Sequence, residues 1–220
     1  IHDIEQVIRS HSKALFHCDV TQAIGKVSFN FSKADLITFG AHKFNGLNGI
    51  GALIYNSDIE FEIQIHGGKS FSPYRSGSPT LALIASMEKA LQLALQHQEE
   101  RFIYVQGIRK ELSEFFLSYP QVMLHSQPNY PFLLNLSVLG IKSVEMKDAL
   151  DEKGICLSVR SACSSENSPS RMVQQLSGNR KAATSSIRIS LSHLTTQAHI
   201  DALKQAFHAC YTERIPHGKS

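Results

Sequence analysis

Three apolar runs of strand length, each bounded by turn signals, crowd into the first quarter of the chain and constrain its fold most. Residues 14–18 run into Asp19, residues 35–39 close at Gly40, and residues 51–55 are entered through Gly46, Gly49 and Gly51. Short apolar runs between turn residues read as buried strands. Ahead of the first, Ile4, Val7 and Ile8 recur at helical spacing. Helix followed by strands predicts the later part of an α/β sheet, laid down parallel, rather than a sandwich.

The pattern then changes. Ser78 and Pro79 read as the N-cap and first position of a helix. Apolar residues continue to Phe116 through Phe102, Val105, Leu112 and Phe115. At ~1.5 Å per residue one helix over 79–118 approaches ~60 Å, with a break expected near Gly107. That is too long for a small domain's core, so it is expected to bridge two domains. From Tyr119 the reading is α+β, with strands at 122–124, 132–136, 155–159 and 186–191. Helices are expected at 143–153 and 197–213, and residues 160–171 form a Ser/Asn/Pro-rich loop. The expected division is 1–78, 79–118 and 119–220.

Composition narrows the function classes. The 220 residues are 42% hydrophobic and 19% charged, ordinary for a globular chain and unlike disorder or coiled coil. A formal charge of +3, spread along the sequence, gives no reason to expect nucleic acid. No uninterrupted apolar stretch is long enough to span a membrane, and no leader pattern opens the chain. Cys18, Cys156, Cys163 and Cys210 form no C-x-x-C pair, which disfavours a disulfide scaffold or structural zinc. The eleven histidines include no H-E-x-x-H. A reduced, cytoplasmic protein is expected. The chain starts at Ile1, which points to processing or to a piece of something longer.

Four places carry candidate chemistry. Asp19 ends the first strand, with Gln22 about one turn later, and Lys43 follows His42 beyond the second strand. Strand C-termini face the ligand crevice in open α/β sheets, so Asp19 and Lys43 could converge there. An Asp opposite a Lys suits pyridoxal phosphate, the Lys forming a Schiff base and the Asp keeping the ring nitrogen protonated. A strand-end Asp is also a common turn residue. Cys163, in a loop of small residues, reads as an exposed thiol or an incidental one. Alternation over 186–191 sets Arg188 opposite the apolar face, where it could grip a carboxylate or simply face solvent. The glycines at 46, 49 and 51 lack the Lys-Ser/Thr of a phosphate loop.

Five ordered stretches together resemble one family. They are residues 17–22 (HCDVTQ), 38–43 (TFGAHK), 75–78 (RSGS), 161–163 (SAC) and 185–190 (SSIRIS). The chain resembles the C-terminal part of a cysteine desulfurase of the class V aminotransferase group, fold-type I pyridoxal-phosphate enzymes. The resemblance implies an α/β fold, the later part of the large domain followed by a long bridging helix and a small α+β domain. It implies that Lys43 carries pyridoxal 5'-phosphate, Asp19 pairs with the ring nitrogen and Gln22 bonds the ring hydroxyl. By the same resemblance His42 touches the phosphate, and Ser78 reaches the phosphate of the neighbouring protomer in a homodimer. Arg188 holds the α-carboxylate of L-cysteine, and Cys163 takes the sulfur, leaving alanine and a persulfide for a sulfur-acceptor protein, as in iron–sulfur cluster assembly.

There are departures. Gly40 and Ser78 stand where desulfurases commonly have Ser and Thr, Leu47 replaces a common Pro, and Arg160 a common Gly. The family's N-terminal portion, with a phosphate-binding turn and a ring-stacking histidine, has no counterpart in the sequence. The chain alone is therefore expected to bind cofactor weakly and to be inactive. A selenocysteine lyase, another class V enzyme, or a non-catalytic remnant serving as an interaction module are the alternative readings.

Overall fold

A computed structural model describes residues 1–68, 74–127, 129–159 and 169–215. The chain forms two compact units, Ile1–Glu99 and Glu100–Ser220. In the first, α1 (His2–His11) precedes β1 (His17–Asp19), β2 (Leu36–Gly40), β3 (Gly51–Tyr55) and α2 (Leu81–Gln96). α1 places Asp3 and Glu5 in its first turn and Arg9 and His11 in its last, the charge order the helix dipole favours. Arg9 then reaches the Asp35 carboxylate at 2.7 Å, and Asp35 also accepts the Phe16 N–H, fastening α1 to the sheet.

The strands order as β1-β2-β3. β1 and β2 are parallel, with Asp19 opposite Thr38, but β3 runs antiparallel to β2. The all-parallel expectation is corrected to a mixed sheet, because β2 and β3 are linked by the 3-10 turn Ala41–Lys43 and a few further residues with no crossover helix. The core beneath is small: Val20, Ile24, Ile37, Phe39, Ala41, Phe44 and Ala94 are among its buried residues. Gly25, at φ +70°, is where an added Cβ would lie 2.7 Å from the Ala94 Cβ, so its lack of a side chain lets α2 seat against the turn after β1.

The second unit holds α3 (Gln98–Leu117), β4 (Val122–Leu124), β5 (Leu133–Val138), α4 (Ser143–Asp151), α5 (Arg171–Ser177), α6 (Arg180–Thr184), β6 (Ser186–Ser190) and α7 (Gln197–Arg214). The antiparallel sheet β4-β5-β6 sets Leu134, Leu136, Val138, Ile187 and Ile189 into one core with residues of α3, α4 and α7. Arg109, buried on α3, donates to the carbonyls of Ser126, Tyr130 and Leu133 and so ties down the loop before β5. α7 starts at a capping box in which Thr196 accepts the His199 N–H while the His199 ring accepts the Thr196 N–H.

Three expectations are corrected. The single bridging helix is two, α2 and α3, parted at His97 with φ −106° and ψ 14°, and Gly107 lies inside α3. Ser78 is not an N-cap: Thr80, at ψ 84°, is still non-helical, and α2 begins after it. Residues 155–159 are not a strand. Ile155, Leu157 and Val159 lean on the core, but only Ser158 bridges to Arg188.

Candidate active site

In the first unit the site grows from the C-terminal ends of two parallel strands. Asp19 ends β1 in a short turn, its Oδ1 accepting the Thr21 N–H at 2.9 Å. Hydrogen bonds from Thr21, side chain and backbone, hold the Asp19 carboxyl below the usual range, so it is ionised at neutral pH. Thr21 Oγ1 in turn accepts the Gly40 N–H at 3.2 Å, locking the end of β1 to the end of β2. His42 and Lys43 follow in the 3-10 turn Ala41–Lys43, both exposed. Asn45, at φ 69°, turns the chain immediately afterwards.

Gly40 has a steric role here. A Cβ at that position would sit 3.0 Å from the His42 ring, so the glycine leaves the imidazole room at the strand end. Gln22 is exposed in the turn after β1 and accepts from Lys26 Nζ at 3.2 Å. Thr21 and Lys26, which the sequence did not single out, bond to these candidate residues. Burial first, and the nearby Lys43 charge second, push the Lys26 ammonium below its ordinary range. The available signal was the four-residue spacing from Gln22, one helical turn. Ser78 is exposed and makes no hydrogen bond to another described residue.

In the second unit, Arg188 lies on β6 opposite Asn135 of β5. Its Nε is buried without a hydrogen-bond partner among the described residues. A buried guanidinium nitrogen left unpaired is costly, which marks the place for an acceptor such as a carboxylate. Cys163 lies outside the described residues. Of the other cysteines, Cys156 donates to Asp151 Oδ1 at 3.4 Å, and that bond pushes its thiol up. Cys210 is buried, and burial pushes its thiol up as well. No cluster of metal-ligating side chains occurs among the described residues.

Residues 1–203 match the family described as aminotransferase class-V. The chain belongs to that family. It is 33% identical over 201 residues to the cysteine desulfurase IscS of Photorhabdus laumondii, covering 88% of this chain and 49% of that protein. With the cysteine desulfurase IscS of Salmonella arizonae it shares 34% over 194 residues, covering 85% and 48%. Among solved structures, a NifS-like protein from Rickettsia africae matches with a TM-score of 0.82 at 27% identity, over 96% of this chain and 57% of that one. The chain thus spans about half the length of the curated relatives it matches. The partial fold-type I architecture agrees with these neighbours.

Pyridoxal 5'-phosphate is the cofactor of this family, as the resemblance implied. The residues present fit it. An ionised carboxylate, a carboxamide, an imidazole and two lysines gather around the adjoining ends of β1 and β2, and Gly40 leaves the space beside His42 open. When bound, the cofactor supplies an electron sink for bonds broken at the substrate's α-amino carbon.

Proposed function

We propose that this chain is the cofactor-bearing and sulfur-accepting part of a cysteine desulfurase that converts L-cysteine to L-alanine and an enzyme persulfide. One observation carries the reading: Asp19, held ionised by Thr21, ends a strand whose parallel neighbour leads straight into Lys43. That pairing is what a pyridine ring needs, an anion at its nitrogen and an amine for its aldehyde. The IscS relatives add the substrate.

The roles are those the family resemblance implies, and the side chains suit them. Asp19 keeps the proton on the ring nitrogen, and Gln22, its carboxamide steadied by Lys26, donates to the ring hydroxyl. His42 meets the phosphate, and Lys43 binds the cofactor and moves the proton at the substrate's α-carbon. Arg188 holds the α-carboxylate. Cys163 takes the sulfur: its S–S bond forms as the substrate's C–S bond breaks, so L-cysteine and a thiol become L-alanine and a persulfide. The raised thiols of Cys156 and Cys210 make these two poorer thiolates for this work.

A homodimer, with Ser78 reaching the partner's phosphate site, a cytoplasmic home, and delivery of sulfur to an acceptor protein for iron–sulfur assembly belong to the same proposal. The free thiols of Cys18, Cys156 and Cys210 suit a reducing compartment. Alone, the chain should hold the cofactor weakly and release no alanine. Leu53 and Ile54, neighbours on opposite faces of β3, are 45% and 46% exposed, as expected of a sheet whose cover is incomplete.

The test uses the enzyme purified whole with this segment in place. Lys43→Ala should remove the yellow colour of the bound cofactor, and alanine release should fall to background with L-cysteine and with L-selenocysteine. A variant that stays yellow and active would overturn the reading. Wild type that acts on selenocysteine alone would redirect it to a lyase.

A further inference from the structure

The Arg188 guanidinium does not stand alone on its face of the sheet. Asn135 is its direct partner across β5 and β6. The Arg188 N–H donates to the Ser158 carbonyl at 2.6 Å, and its carbonyl accepts the Ser158 N–H at 3.2 Å. The backbone of Asn135 is likewise turned the other way, its N–H on Ser126 Oγ and its carbonyl accepting from His125 N–H, both at 2.9 Å. Neither backbone is thus bonded to the other, which makes this a non-hydrogen-bonded pair of the antiparallel ladder. Such pairs bring their Cα atoms to about 4.5 Å and their side chains closest together.

The amide of Asn135 is also oriented. Ser186 Oγ, on the same face two residues before Arg188, donates to Asn135 Oδ1 at 3.2 Å. The oxygen being taken, the NH2 group is left as the free donor, and no described residue accepts from it. Arg188, with a buried Nε that has no acceptor among the described residues, and Asn135, with an amide NH2 likewise lacking one, are thus cross-strand partners. Two donors on cross-strand partners, one of them charged, suit a carboxylate.

We propose that Asn135 is a second anion-binding residue, whose side-chain NH2 shares the substrate's α-carboxylate with Arg188. The inference rests on the reading of Arg188 as the carboxylate site and extends it to a specificity-determining neighbour. Arg188 supplies the charge. Asn135 fixes the second oxygen, so ligands with a planar carboxylate are preferred over amides or esters of the same amino acid.

The experiment is a titration of the isotope-labelled 220-residue chain with L-alanine, followed by NMR at the Arg188 Nε–H and Asn135 Nδ2 signals, with L-alaninamide as control. Both signals should move together with one apparent Kd, and alaninamide should move neither. Asn135→Ala should weaken L-alanine binding about tenfold, the loss of one bond to a charged acceptor. Asn135→Asp, isosteric and able to keep the Ser186 bond, should abolish it by charge repulsion while the backbone spectrum of β4–β6 is retained. Movement of Arg188 alone, or wild-type affinity in both variants, overturns the role of Asn135 and leaves Arg188 in place. No response at either signal overturns both assignments.

Discussion

Arg188 and Asp19 show how single side chains divide the work of recognition. Arg188 offers a buried donor with no acceptor among the described residues, whereas Asp19 already has its acceptor role set by Thr21. Arg188→Ala should therefore raise the L-cysteine requirement by about ten- to a hundredfold, the worth of a bond to a charged group, and barely change cofactor affinity. Equal losses of substrate and cofactor binding would make Arg188 a structural residue. The placement of Asp19 at a strand end, of Lys43 just past the next strand and of Arg188 on a strand was legible in the sequence because strand ends and period-two alternation are local properties. Lys26 and Asn135 were not. Lys26 matters only once the turn after β1 closes and brings it to Gln22, and Asn135 only once register pairs it with Arg188.

At the scale of elements, apolar spacing located most helices and strands to within a few residues, and the failures share a cause. The break at His97 has no Pro or Gly to announce it, while Gly107, the residue that does look like a breaker, is carried inside α3. A Cβ added at Gly107 meets nothing within 4 Å. Gly107→Ala should thus stabilise the second unit by about 1 kcal/mol, a rise in Tm of about 2–4 °C, measured by thermal unfolding. A lower Tm would show that the helix needs flexibility there. The apolar residues at 155, 157 and 159 alternate like a strand because alternate residues face the core, yet a ladder also needs a partner edge, and only Ser158 finds one. Strand direction was hidden for the same reason: the run at residues 51–55 reads alike parallel or antiparallel, and its short link to β2 decides.

The whole molecule is two units of unequal completeness. The second closes a large core around Leu134, Leu136, Phe116 and Phe207, while the first buries few side chains and leaves Ile4, Val7, Leu53 and Ile54 exposed. Both units rely on carboxylates held ionised, Asp35 by Arg9 and the Phe16 N–H, and Glu111 by Lys204 and Gln197. Their folded values lie below the ordinary 3.8 and 4.5, so the unfolded chain takes up protons first as pH falls. Stability should be level above those ordinary values and decline below them, and Asp35→Asn should flatten part of the decline in an acid titration followed by circular dichroism. A decline beginning near neutrality would point to histidines instead. In the proposed function, sulfur leaves L-cysteine for Cys163 in an enzyme whose cofactor sits on Lys43. The most direct measurement is peptide mass mapping of the whole enzyme after a single turnover with L-cysteine. One extra sulfur atom should appear on the peptide containing Cys163, in step with the alanine released. Extra sulfur on Cys156 or Cys210, or alanine released with none on Cys163, would contradict it.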